Sequence, residues 1–187
     1  FWNQPVPNLI RFRVIKYSDY VQMPWKNGMG STLEIDVSED KVWRLSAATV
    51  QQSSSFSDYS GFDRLLTVWK GDGLLLNDFL LKKNEVHAFA GEDLIYCKNL
   101  NEQVTDLGLI FKRDRVQAQM ITQAFTDDLV VTFAKGIHFI FCLEGQFATN
   151  DHLVQQGDTL RIENEALAQI LLKSAKTVVA IIDLTMI

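Results

Sequence analysis

Phe79-Leu80-Leu81-Lys82-Lys83-Asn84-Glu85-Val86-His87-Ala88-Phe89 lies against His152-Leu153-Val154-Gln155-Gln156-Gly157-Asp158-Thr159-Leu160-Arg161-Ile162 at an offset of 152 − 79 = 73 residues. Each segment holds a short apolar run, a four-residue polar turn and a second apolar run. Upstream, Trp69-Lys70-Gly71 lies against Leu143-Glu144-Gly145 at 145 − 71 = 74, one residue of slippage, and Gly61 lies against Gly136. The unit is strand, glycine turn, strand, polar turn, strand, then another strand. Glycine and Asx residues punctuate it because they tolerate the positive φ of tight turns. Short, evenly spaced strands with such turns predict an all-β protein built of sandwiches or closed barrels. Two copies predict two units side by side, over 1–112 and 113–187, with strands open to exchange between them. The best helix candidate, 113–123, has a polar–apolar mix that also fits a linker.

This strand–glycine–strand–turn unit resembles half of a cupin barrel, and its doubling resembles a bicupin with two cupin-like barrels or sandwiches. Metal-binding cupins place two histidines one residue apart, a carboxylate a few residues on, and a further histidine in the second motif. Here His87, His138 and His152 fall against Leu160, Arg64 and Phe79 in the repeat, so no two occupy equivalent positions. Zinc, iron or manganese needs three or four convergent ligands. The expectation is therefore no metal and no cofactor.

The second informative stretch is Pro24-Trp25-Lys26-Asn27-Gly28-Met29-Gly30-Ser31-Thr32-Leu33-Glu34-Ile35. Asn-Gly signals a turn, and Gly30 allows a further bend or a close approach. Leu33, Ile35 and Val37 then alternate with Thr32, Glu34 and Asp36, and 43–50 reads as the returning strand of a hairpin. Matching the apolar residues with Trp43, Leu45 and Ala47 puts Thr32, Glu34 and Asp36 beside Arg44 and Ser46 on the other face. If that face meets solvent, its charges are an ordinary polar stripe. If it lines a hollow, they become recognition groups. Residues 9–17 read as an opening strand, with Ile10, Phe12 and Val14 on one side. Residues 51–60 read as a Ser-rich loop, and 61–69 as a strand apolar on both faces. Arg64 shares a face there with Phe62, Leu66 and Val68, so it must either pair with Asp63 or another carboxylate, or coordinate something.

The net charge of -5 argues against non-specific nucleic-acid binding. No run reaches the length of a membrane-spanning helix and none resembles a secretory signal. Cys97 and Cys142 lie in apolar strand patterns and read as buried thiols, with a disulfide between them as the alternative, so a cytoplasmic setting is expected. No nucleophile elbow and no Walker loop are present. Glu34 and Asp63 are the acid–base candidates.

Together these pieces resemble the HutD/Ves family of bacterial proteins. The matching motifs are Pro-Trp-Lys-Asn-Gly-x-Gly-Ser-Thr-x-Glu-Ile at 24–35, Trp-Arg-x-Ser-x-Ala at 43–48, Phe-Ser at 56–57, Gly-Phe-Asp-Arg at 61–64 and Gly-Asp-Gly at 71–73. Further on the match thins to Phe89-Ala90-Gly91 and Asp106-Leu107-Gly108-Leu109, near which the family carries an Asp-Phe-Asn whose Phe and Asn are missing here. The resemblance implies a bicupin without a catalytic metal, associated with histidine utilisation or stress response. It also implies that the protein binds a small pathway intermediate.

The residues agree with that expectation. Lys26, Arg44 and Arg64 supply positive charge, Asn27 and Ser46 directional hydrogen bonds, and Trp25 and Phe56 apolar walls, with Glu34 in the same row. Such a set suits a small carboxylate-type metabolite held by a guanidinium fork. The expected function is a metal-free sensor or modulator, monomeric or a weak dimer, that binds neither nucleic acid nor membrane. The alternative is a metal-independent isomerase or hydrolase with Glu34 as general base. A third reading has the polar stripe facing solvent, with the protein working through partner contacts.

Overall fold

The computed structural model describes residues 11–26, 28–100, 103–164 and 166–187, which form strands and their connections apart from one 3-10 turn at Tyr17–Asp19. The first half runs β1 (Arg11–Ile15), β2 (Val21–Pro24), β3 (Gly30–Val37), β4 (Trp43–Val50), β5 (Ser54–Ser55), β6 (Phe62–Lys70), β7 (Leu74–Leu76), β8 (Phe79–Leu81), β9 (Val86–Ala90), β10 (Tyr96–Asn99) and β11 (Val104–Lys112). The second runs β12 (Val116–Phe125), β13 (Leu129–Phe133), β14 (Ile137–Glu144), β15 (Gln146–Thr149), β16 (His152–Gln155), β17 (Thr159–Glu163), β18 (Ala166–Leu172) and β19 (Thr177–Met186).

The repeat read from the sequence appears in the strand order. One large sheet contains β4-β11-β6-β9 and the other β12-β19-β14-β17, while the small sheets run β5-β10-β7-β8 and β13-β18-β15-β16. Each unit is a large sheet facing a small one, so the units are sandwiches rather than closed barrels. β2 and β3 extend the first large sheet, whereas β1 joins the second, with Phe12 opposite Ile162. Of the opening strand's expected apolar face, Phe12 and Val14 pack on the second unit's core, and Ile10 lies outside the described residues.

Two expectations are corrected. The candidate helix at 113–123 is strand β12, paired along its length with β19 from Val116↔Met186 to Phe125↔Thr177. Val116 and Met120 are buried while Gln117, Gln119 and Ile121 are exposed, which is strand alternation. The hairpin parity also breaks. Thr32↔Ala48 and Glu34↔Ser46 follow the expected register, but a bulge between Glu34 and Asp36 sets Asp36 opposite Leu45. One inserted residue turns a side chain to the other face. Asp36 therefore leaves the row and instead ion-pairs Arg161 of the second unit.

Parity also distributes the core. Trp43, Leu45, Leu107, Leu109 and Phe111 point away from their own small sheet and pack on Phe139, Phe141, Leu143 and Ile182 of the other unit. Trp69 and Phe141 meet edge-on with centroids 4.9 Å apart, and the Trp69 indole N–H donates to the Leu143 carbonyl at 3.2 Å. The opposite faces fill each sandwich. Val50, Val68 and Val104 meet Leu74, Leu76, Leu81 and Cys97 in the first. Ile140, Val179 and Ile181 meet Phe147, Val154 and Ile170 in the second. No described helix is long and apolar enough to cross a membrane. Cys97 and Cys142 are buried, unpaired thiols.

Candidate functional site

Along the interior face of the first large sheet, side chains change from apolar to polar. Val50, Val104 and Val68 close one end, and Arg44 and Arg64 stand opposite Ile110 at the other. Between them lie Ser46, Ala48 and Gly108, which are too small to fill the space beneath the facing loops. The result is a cavity of about 480 Å³ that these residues line together with Trp25, Lys26, Phe56, Tyr59 and Asp106.

The glycines of the 24–35 motif build the wall that holds Trp25. The Gly28 N–H closes a turn on the Trp25 carbonyl at 3.0 Å, with φ +70° at Gly28, and the Trp25 N–H donates to the Gly30 carbonyl at 2.9 Å. A Cβ at residue 30 would lie 2.4 Å from the Thr49 carbonyl oxygen and 2.8 Å from the Trp25 ring, so only glycine admits the indole. The indole N–H then donates to the Thr32 hydroxyl at 2.9 Å.

The two guanidinium groups are held by rings and neutral oxygens. Arg44 donates to the Tyr59 hydroxyl at 3.2 Å, and its buried Nε has no hydrogen-bond partner among the described residues. Arg64 lies 4.7 Å from the centroid of Phe56, 5.3 Å from Phe89 and 5.5 Å from Tyr59, and donates to the Ser57 carbonyl at 3.3 Å. Burial pulls its affinity for the proton below the ordinary value, against the fields of Asp106 and Tyr59 and with that of Arg44. Asp63 does not pair with it, since that carboxylate binds Arg113 at 3.0 Å.

Of the residues singled out in the sequence, Trp25, Lys26, Arg44, Ser46, Phe56 and Arg64 line this cavity. Glu34 sits opposite Ser46 on β3 but is not part of the lining. Asn27 lies outside the described residues. Asp106 escaped the sequence reading as a site residue. It is 3% exposed, and burial raises its pKa to about 7 against the Arg64 field and the Ala48 backbone N–H. Its signal was a lone carboxylate in the apolar run 104–111.

The cavity lining contains no histidine or cysteine, and among the described residues no three His, Cys, Asp or Glu side chains converge. The donor set does not fit a cupin-type metal. His138 instead bonds Asp183 at 2.6 Å and the Ala134 carbonyl at 2.8 Å, and His87 stacks on Phe79 at 4.2 Å.

The second unit provides an internal comparison. Where the first has Arg44↔Ile110↔Arg64 across β4, β11 and β6, the second has Gln119↔Asp183↔His138 across β12, β19 and β14. That row satisfies itself: Gln119 and His138 both bond Asp183, and although burial opposes it, these bonds hold the Asp183 carboxyl below the usual range. At the positions of Gly108 and Leu66 it has Ile181 and Ile140, both buried in that unit's core, and at that of Ser46 the exposed Ile121. The second unit's own cavity, of about 420 Å³, is lined by the self-paired Gln119, Asp183 and His138.

Fold and site together define a two-unit cupin-like β protein in which the first unit carries a cationic cavity and the second does not. The chain belongs to the HutD family, whose profile matches residues 17–180. An uncharacterised 21.2 kDa protein in the hutC 3' region of Pseudomonas putida is 36% identical over 120 residues, or 59% of this chain and 63% of that one. The match thus spans less than two thirds of that relative. Protein Ves of Citrobacter koseri is 29% identical over 153 residues, covering 75% and 78%. Among solved structures, HutD from Pseudomonas fluorescens SBW25, in a formate condition, superposes with a TM-score of 0.79 at 26% identity over 95% of this chain and 100% of that one. A cupin 2 conserved barrel domain protein from Leptotrichia buccalis shares the fold alone, at 9% identity, a TM-score of 0.56 and coverage of 82% and 88%.

Proposed function

We propose that the first-unit cavity binds a small carboxylate-bearing metabolite and that the protein acts as a sensor or modulator of histidine utilisation. The observation that carries this reading is the pair of guanidinium groups that share one hollow and form no ion pair among the described residues, one with an orphaned Nε. A buried cation without a counter-charge is unfavourable, and a bidentate carboxylate is its natural complement. The equivalent row in the second unit is internally paired, so the unpaired state is not a property of the fold. The HutD and hutC names of the relatives supply the metabolic context, and the formate condition of one relative supplies a minimal probe. Catalysis with Glu34 as general base lacks geometric support, because Glu34 does not line the cavity.

Calorimetry with formate, glutarate, glutamate and the acids of histidine breakdown tests the proposal. At least one acid is expected to bind, and Arg44→Ala or Arg64→Ala to weaken it about 10- to 100-fold, as expected for losing a charged hydrogen bond of about 1.5–3 kcal/mol. Absence of heat with every acid, or an affinity unchanged from wild type in both variants, would contradict it.

A further inference from the structure

Asp106 is the one carboxylate among the described residues lining the cavity, which it shares with three cations. Arg44 comes from β4, Arg64 from β6 and Lys26 from the turn after β2, while the Tyr59 hydroxyl and the Cys97 thiol of β10 are the other titratable groups nearby. No described cation forms an ion pair with it. Arg64 acts on it through its field, and Arg64's own contacts are aromatic rings and the Ser57 carbonyl. On β11 it shares a face with Gly108 and Ile110, and its Oδ1 lies 3.7 Å from where a Cβ at Gly108 would sit. An anion entering the floor over Gly108 therefore meets this carboxyl group.

An anion brought beside an ionised carboxylate in that hollow is repelled by it. The repulsion disappears when the carboxyl is protonated, and the resulting O–H donates to the anion a short, charge-assisted hydrogen bond. Resting on the carboxylate reading of the cavity, we propose that Asp106 binds the ligand as a carboxylic acid, so that binding draws a proton from solvent whenever that carboxyl is ionised beforehand. Asp106 is then a positioning and specificity residue. It favours ligands with an acceptor oxygen over Gly108 and makes affinity dependent on pH. The pH dependence follows from the carboxyl being about half ionised at neutral pH before the ligand arrives. Below that point the donor is already present. Above it, proton uptake opposes binding and affinity falls by up to about tenfold per pH unit.

The experiment is calorimetry with formate and glutarate on the intact protein at pH 5.5, 7 and 8. It is run at each pH in two zwitterionic or cationic buffers whose ionisation heats differ, MES and Bis-Tris at the two lower values and HEPES and Tris at pH 8, so that protons taken up are counted directly. The expected count is near zero at pH 5.5, about half a proton at pH 7 and close to one at pH 8. Asp106→Asn keeps a hydrogen-bond donor and cannot titrate, so it is expected to bind with no proton uptake and a flat pH profile. Binding that is abolished by Arg44→Ala yet shows no proton uptake at pH 8 overturns the inference while leaving the cavity reading standing. Uptake that persists in Asp106→Asn overturns it as well. Failure of both acids to bind at all three pH values removes both proposals. If Asp106→Asn does not fold, the wild-type proton count still decides the matter.

Discussion

Gly30 and Asp106 show how single residues set the site. Gly30→Ala forces the new methyl into the Thr49 carbonyl and the Trp25 indole, neither of which can retreat without opening the hairpin. Overpacking of that kind costs about 1–3 kcal/mol, or about 2–4 °C of melting temperature per kcal/mol in a chain of this size. Calorimetric melting checks it. Asp106 has its own stability signature. Its pKa is about 7 in the fold against an ordinary 3.8, so its stabilising contribution is fully present below the ordinary value and is lost as pH rises through 7. Wild-type protein is expected to lose stability between pH 4 and 8 by an increment that Asp106→Asn lacks, and the variant should be the more stable of the two at pH 8. Denaturant titrations across that range measure the difference. The thiols of Cys97 and Cys142, each pushed up to about 12 by burial, should resist iodoacetamide at pH 8 until the protein unfolds.

At the scale of elements, the interior face of β4 and β11 shapes the hollow of the first sandwich. Gly108→Val places a β-branched side chain on a strand, where a Cβ meets Leu66 at 3.3 Å, Asp106 at 3.7 Å and the Leu65 carbonyl at 3.9 Å. Stability should therefore change by no more than about 1 kcal/mol, while acid binding disappears because the floor is occupied. A large loss of stability instead would show that Gly108 serves the fold rather than the hollow. This face was partly legible in the sequence. Period-two alternation placed Arg44, Ser46 and Thr32 together, because parity follows from side-chain geometry alone. The same logic misplaced Asp36, since a bulge adds a residue without leaving a compositional mark. It missed β12 because Gln117, Gln119 and Gln123 alternate with small or polar neighbours, weakening the strand signal. Asp106 stayed hidden for a different reason: burial of a carboxylate is a tertiary property, and its run looked like ordinary core strand.

In the whole molecule, the repeat explains both the architecture and the asymmetry of function. Doubling was visible at 79–89 and 152–162 because turn chemistry repeats where side-chain identity does not. The face-to-face contact of the two large sheets required coordinates. It rests on Trp43, Trp69, Phe139 and Phe141, all buried between the units. Phe139→Ala should cost about 3–5 kcal/mol and lower the melting temperature of a single cooperative transition, because neither sandwich can keep that face dry alone. Separate transitions in the wild type would instead indicate independent units. Among the described residues the polar row of the first unit holds two guanidinium groups without an ion pair while that of the second is paired internally, and that difference carries the functional account. Its most direct test is a crystal structure of the protein grown with glutarate. The account predicts a carboxylate in the first-unit cavity with its oxygens about 3 Å from the guanidinium nitrogens of Arg44 and Arg64. Glutarate seated in the second unit or on the surface, with the first cavity holding only water, would contradict it.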